Sequence, residues 1–219
     1  MKALTLVNAG AAKVYAAARD VGKVTALGAR VVPLALDTTL PMEVAEAAKK
    51  AGDVTLLLNN AGLLTSFSVL TASQAEFDAD FRTNVYGTLA VIKAFVPVLE
   101  RAPEGATIVN VLSLASLASV PPMGGYSASK AAAYSITQAL RAELKAKRIE
   151  ILAALPGPID TDMVKGLALP KTSAIETALG VLAGIERGDE EIFPDPMARQ
   201  MSALWNTSPK NLERAFASF

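Results

Sequence analysis

Short apolar runs alternate with amphipathic stretches along almost the whole chain. Runs at 4–7, 14–17, 30–36, 54–58, 107–111 and 150–155 read as strands, with a short addition at 191–193. Most are continuously apolar rather than alternating, the pattern of strands buried on both faces. Between them, 41–51 begins with Pro41 and stops before Gly52, which are helix start and stop signals. Residues 73–100 predict one long amphipathic helix with Pro97 near its end. An Ala-rich helix is expected over 126–146, with Ile136 and Leu140 on its apolar side. Two more follow at 172–187 and 198–205, the last with Met201 and Trp205 on one side. This alternation predicts an α/β fold: a doubly wound, mostly parallel sheet with helices on both faces. The 219 residues suffice for one sizeable core, so 1–219 is read as a single domain.

Composition narrows the chemistry more than the fold. There is no cysteine and no histidine. Disulfides, thiolate nucleophiles, histidine metal sites and Ser-His mechanisms are removed together, and any catalytic base must be Asp, Glu, Lys or Tyr. Lys+Arg and Asp+Glu balance at 21 each, so no global field attracts nucleic acid or an acidic membrane. The first apolar run is too short for a secretory signal, and later ones end before membrane-spanning length. These features predict a soluble, cytoplasmic protein without a metal, a nucleic-acid partner or a membrane partner.

Candidate chemistry gathers after the strands. Tyr126 and Lys130 stand at i and i+4, on one face of the predicted helix. A nearby ammonium favours phenolate and lowers the phenol pKa, so the pair is suited to exchanging a proton with a hydroxyl or carbonyl. An ordinary surface Tyr and Lys gives the same spacing. Ser113 ends the strand at 107–111, at the sheet edge where open α/β folds place their sites, and it also suits a plain turn. Asn59-Asn60-Ala61-Gly62 follows the strand at 54–58, where small residues allow close backbone approach, or form a simple turn. Asn84 lies inside a predicted helix, against its propensity. Pro156-Gly157-Pro158-Ile159-Asp160-Thr161 reads as a rigid loop after the sixth strand.

Taken in order, Asn59 to Gly62, Asn84, Ser113, Tyr126-x-x-x-Lys130 and Pro156-Gly157 resemble the short-chain dehydrogenase/reductase family over about 14 to 196. The resemblance implies a Rossmann-like domain that moves a hydride between NADP(H) and a small-molecule carbonyl or alcohol. Tyr126 would be the general acid/base. Lys130 would hold the nicotinamide ribose and depress the tyrosine pKa. Ser113 would polarise the carbonyl, and Asn84 would anchor a water leading from Lys130 to solvent. Asn59, Ala61 and Gly62 would border the adenine-side ribose and sheet centre, with Asp37 at the adenine. Pro156 and Gly157 would open the loop in which Ile159 and Thr161 bracket the carboxamide. Arg19, after the second strand, suits the 2′-phosphate of NADP by charge and fork geometry; a surface pair with Asp20 is the alternative. The substrate loop would lie near 156–171 and the tail at 194–219. There Leu167, Leu169, Met197, Met201 and Trp205 suit an apolar pocket, a subunit contact or plain core. The family's assembly through its two long helices implies a homodimer or homotetramer.

One family feature is not in the sequence: the Thr-Gly-x-x-x-Gly-x-Gly loop that cradles the pyrophosphate. The first βαβ unit reads as truncated, because only six residues separate 4–7 from 14–17, too few for a parallel crossover. Three arrangements meet that constraint. The chain is interrupted between 7 and 14; or the two strands pair antiparallel or exchange the first with another subunit; or 2–9 is the end of the family's first helix and the sheet lacks its central strand. The unbroken numbering favours a continuous chain with the pyrophosphate site lost. Three functions therefore stay open: an NADP(H)-dependent oxidoreductase; a non-catalytic or cofactor-free scaffold; and a hydrolase or lyase using Ser113 or Tyr126, which the absence of histidine disfavours.

Overall fold

The computed structural model describes residues 3–24, 27–166 and 169–218. Four parallel strands form the larger sheet, in the order β3 (Leu56–Asn59), β4 (Ala106–Val111), β5 (Ile149–Ala154) and β6 (Glu191–Ile192). A second parallel pair joins β1 (Val14–Ala18) and β2 (Val31–Ala35). Pro33 sits within β2, which has a single partner, and an edge strand tolerates the missing N–H. Among the described residues no strand lies between β1 and β3. The Lys13–Asp53 ion pair and the Tyr15 hydroxyl, 2.8 Å from Asp53 Oδ1, bridge that interval.

The expected strand at 4–7 is instead a helix, α1 (Ala3–Asn8). Four apolar residues suit either form, and the end signal decides. Gly10, at φ +100°, reverses the chain while the Ala11 N–H donates to Leu6 O. Val7 then packs with Val14, Ala16 and Val31. Of the three arrangements, the third is the one that expects a helix here, and α1 runs through the turn at Gly10 into β1.

Helices α2 (Pro41–Lys50), α4 (Thr88–Leu99) and α5 (Gly124–Leu144) cover one face. Their apolar sides meet Leu34, Ile108, Ile149 and Ile151 in one cluster. The alternate residues, Val109, Leu152 and Ala154, point the other way and pack with Val181 of α6 (Ala174–Arg187). The single helix expected over 73–100 is three pieces: α3 (Gln74–Phe81), a π-helical turn at Arg82–Gly87, and α4. No proline or glycine breaks the run before Gly87, so the sequence carries no stop signal that would reveal the wider turn. After β6 come α7 (Pro196–Thr207), longer than the predicted 198–205, and an unpredicted α8 (Pro209–Phe216). Ser208 caps α8 with Pro209 at its first position, a start signal present in the sequence.

The packing of α6 yields a stability prediction. A Cβ on Gly180 would stand 2.1 Å from Pro194 O, a backbone atom that cannot rotate away. Gly180→Ala is expected to cost about 1–3 kcal/mol and to lower the melting temperature by about 2–4 °C per kcal/mol. Gly166→Ala, whose Cβ meets nothing within 4 Å, is the control and leaves the melting temperature unchanged or slightly raised. Matching melting curves for Gly180→Ala and wild type would contradict this packing.

Candidate active site

Strand order runs outward in opposite senses from the interval bridged by Lys13 and Asp53: β1 is followed by β2 on one side, and β3 by β4, β5 and β6 on the other. Open α/β sheets bind ligands beside such a switch, past the carboxyl ends of their strands. A cavity of about 530 Å³ lies past β3, β4 and β5. Ser113, Tyr126 and Lys130 line it together with Ala61, Gly62, Pro156, Gly157, Ile159 and Thr161. Leu169 and Met197 also line it; Met201 and Trp205 pack in an apolar cluster beside it, and Leu167 lies outside the described residues.

Three layers of hydrogen bonds position the central pair. Asn84, 1% exposed, turns its amide on one residue of the loop after β3. Its Oδ1 accepts the Leu63 N–H and its Nδ2 donates to Leu63 O, both at 2.8 Å. The same Nδ2 lies 2.9 Å from Ser129 Oγ, which donates to Tyr126 O. The π-helical turn carries Asn84 to that position, a common use of such turns at functional sites. Asp80, fully buried, accepts from the N–H and hydroxyl of both Thr65 and Ser66. Ser66 O in turn accepts the Tyr126 N–H at 3.2 Å. Lys130 Nζ donates to Val111 O at 3.1 Å and lies 5.7 Å from the Tyr126 ring centre. A Cβ on Gly62 would stand 3.5 Å from that Nζ and 3.6 Å from Asn84 Oδ1, so a residue without one keeps the passage open.

Electrostatics here differ from the sequence expectation. Lys130 was expected to lower the Tyr126 pKa. Burial instead pushes the phenol up to about 12; its hydrogen bond with Ser113 pulls down, and the Asp80 charge adds to the rise. Burial also brings Lys130 down to about 8 from 10.5, with Asp80 opposing. Desolvation is the largest cause for both groups because they share one buried site.

Besides Asn84, which braces the cavity loop without lining it, three predicted residues lie apart from the cavity. Asn59 Nδ2 donates to Asn110 Oδ1 at 2.8 Å, and Asn110 donates to Thr137, so its amide braces β3 against β4 and α5. Arg19 and Asp37 follow β1 and β2. Asp37 accepts from the Thr39 hydroxyl and N–H; these bonds, with a smaller effect of Arg19, hold its carboxyl below the usual range. Asp20 accepts the Gly22 N–H and so caps the turn after β1. Asp80, Ser129 and Asp195 were missed. Their partners are distant in sequence or on the backbone; Ser129 lies within the Tyr126-x-x-x-Lys130 motif and Asp195 before Pro196 carries a helix-start signal, but neither pattern reveals those partners.

Residues 2–171 match the family model for short chain dehydrogenase. The chain belongs to the short-chain dehydrogenase family. It is 39% identical to a short chain dehydrogenase from Burkholderia cenocepacia J2315 solved in complex with NADP. That match has a TM-score of 0.89 and covers 96% of this chain and 89% of the other. An NADPH-dependent 1-acyldihydroxyacetone phosphate reductase of Saccharomyces cerevisiae is 32% identical over 171 residues, covering 73% of this chain and 57% of the relative. A 3-oxoacyl-[acyl-carrier-protein] reductase of Thermotoga maritima is 31% identical over 157 residues, covering 70% and 62%. The match thus spans about three-fifths of these two curated relatives. No helix among the described residues of this short-chain dehydrogenase is long and apolar enough to cross a membrane.

The Lys130 titration is directly measurable. Its Cε and Nζ resonances are expected to titrate near pH 8. Asp80→Asn removes the charge that favours the ammonium, so the midpoint should move lower still. A wild-type midpoint at or above 10.5, or an upward move in the variant, would contradict the burial described here.

Proposed function

We propose that this short-chain dehydrogenase is an NADP(H)-dependent oxidoreductase that interconverts a small-molecule carbonyl and its alcohol, with Tyr126 as general acid/base. One observation carries the reading: Ser113, Tyr126 and Lys130 converge on a single apolar cavity past the strand ends. The Burkholderia neighbour's complex with NADP supports the cofactor.

The residues fit the nicotinamide end of that cofactor. Gly62 leaves room beside Lys130 and Asn84, and Ala61, Ile159 and Thr161 line the same space. Pro156 and Gly157 hold the loop start, and Asp37 would meet the adenine. When bound, the nicotinamide supplies or accepts the hydride at the substrate carbon. Tyr126, with its pKa near 12, keeps its proton at neutral pH and donates it to the carbonyl oxygen as negative charge develops there. The Ser113 hydroxyl shares that oxygen and orients it. Lys130, largely protonated below about pH 8, would hold the ribose hydroxyls and offset the charge left on the phenolate. Asn84 steadies the loop beside it, and its Oδ1, which keeps one lone pair, would anchor the water path from Lys130.

A cofactor-free or non-catalytic protein is the second reading. Titration with NADPH separates the two. Saturable enhancement of its fluorescence supports the oxidoreductase, and a flat response at millimolar NADPH supports the second reading.

Tyr126→Phe keeps the ring and deletes the proton. Carbonyl reduction should fall by about two to four orders of magnitude with NADPH affinity nearly unchanged. Turnover close to wild type would defeat the acid/base role. Arg19→Ala should weaken NADPH far more than NADH, by about 1.5–3 kcal/mol for a lost charge-assisted bond. Equal weakening of both cofactors would show that Arg19 does not read the 2′-phosphate.

A further inference from the structure

The tail after β6 forms part of the catalytic cavity, and a buried carboxylate fixes it there. Asp195, 1% exposed, caps α7 by accepting the Ala198 N–H on Oδ1 at 2.9 Å. Its Oδ2 accepts the Gly157 N–H, also at 2.9 Å. The α7–α8 hairpin is therefore tied to the loop that leaves β5 for the cavity. The approach is close: a Cβ on Gly157 would stand 3.0 Å from Asp195 Oδ1 and 3.3 Å from Met197 Cβ. Further along, Leu212 and Phe216 of α8 are buried in one cluster with Leu114, Val120, Tyr126 and Met201. Phe216 and Met197 reach the cavity surface. A wall pinned at one end and packed at the other is set before a substrate arrives.

The cavity's charge is as informative as its shape. Among the described residues that line it, Lys130 is the sole cation and Asp162 the sole acid. Lys130 is 5% exposed, bonded to Val111 O, and in the function proposed above it is occupied by the ribose. A substrate phosphate or carboxylate would lose its water here without gaining a partner. The substrates named for the yeast and Thermotoga relatives carry a phosphate or a protein carrier. The side formed by Leu114, Val120, Met123, Met197 and Phe216 offers neither a partner; it offers apolar contact.

We propose that this site takes an uncharged, apolar ketone, aldehyde or alcohol, and that Phe216 is a specificity-determining residue that limits its size. The reaction rests on the function proposed above: the carbonyl carbon gains the hydride, its oxygen gains the Tyr126 proton, and the nicotinamide is oxidised. Recognition of the apolar body by the α7–α8 wall precedes that step.

Trp205, the sole tryptophan, packs on the same cluster and serves as an internal reporter. The full chain is titrated without cofactor with cyclohexanone, the larger 2-decalone, and 4-oxocyclohexanecarboxylate, following Trp205 emission. Both neutral ketones should give saturable changes, with the carboxylate weaker by about tenfold or more. Phe216→Ala should improve 2-decalone relative to cyclohexanone by about tenfold, and Phe216→Trp, whose affinities are read by titration calorimetry because it adds a second tryptophan, should shift the ratio the other way. Because the two variants change the wall in opposite directions, a folding defect in one leaves the other to decide. The proposal is overturned if the carboxylate binds as well as the ketones, if no ketone changes the emission, or if the variants leave the ketone ratio unchanged. Adding NADPH separates this inference from the function beneath it. Ketone binding without NADPH oxidation would sink the oxidoreductase and leave the recognition standing. Turnover with an unchanged ketone ratio in the variants would do the reverse.

Discussion

Asn84 gives backbone that lies beside no strand the hydrogen bonds a strand would provide. Its amide accepts the N–H and donates to the C=O of Leu63, the two groups a strand would offer a neighbour. A buried loop cannot leave those groups unpaired without a cost comparable to a lost hydrogen bond. With Asn84 in place, the loop after β3 can run close to α5, and Gly62 can approach Lys130. The second bond of Nδ2, to Ser129 Oγ, ties this arrangement to the turn of α5 that carries Tyr126. The π-helical turn follows from the same demand, since it is the segment that brings the amide to the loop.

Asp80 imposes the complementary electrostatic constraint. Four donors from Thr65 and Ser66 surround its carboxylate, and its charge acts on both members of the central pair. It favours the protonated phenol and the protonated ammonium alike. Burial disfavours each charged form, so the phenol and the ammonium respond in opposite directions. At neutral pH the result is a proton-bearing Tyr126 beside a largely charged Lys130. In the function proposed above, that state would donate its proton in the reductive direction.

The sequence made the strands of the larger sheet and the Tyr126–Lys130 pair readable because their determinants are local. A buried strand is a short apolar run, and an i, i+4 pair declares its shared face. At 4–7 the determinant was also local but ambiguous; the reversal at Gly10 decided for helix, and strand was the poorer reading of it. Asp80, Asp195 and Asn59 were illegible in their actual roles because each acts through partners up to 51 residues away. The rise in the Tyr126 pKa was equally hidden. Residue spacing gives the proximity of an ammonium, whereas desolvation depends on everything packed around the pair.

The two ends of the proposed cofactor site belong to different sheets, so their separation needs a structural cause. Arg19 and Asp37 follow the strands of the β1–β2 pair, while Tyr126, Lys130 and Ser113 follow elements around the larger sheet. The ion pair between Lys13 and Asp53 crosses the interval, but its side chains are 42% and 54% exposed, and exposed pairs hold geometry weakly. The stronger connection is apolar. Leu34 of β2, Val44 and Ala47 of α2, Ile92 and Phe95 of α4, and Ile108 and Ile151 of the larger sheet form one continuous cluster. Close packing of that kind resists displacement because a shift opens voids on one side and clashes on the other. Helix α2, which packs on both β2 and α4, therefore sets the distance between Arg19 and Lys130 more firmly than the polar bridge does. Cavities made beneath α2 would loosen the relation between the two ends while leaving every polar group of the candidate site in its own local bonds.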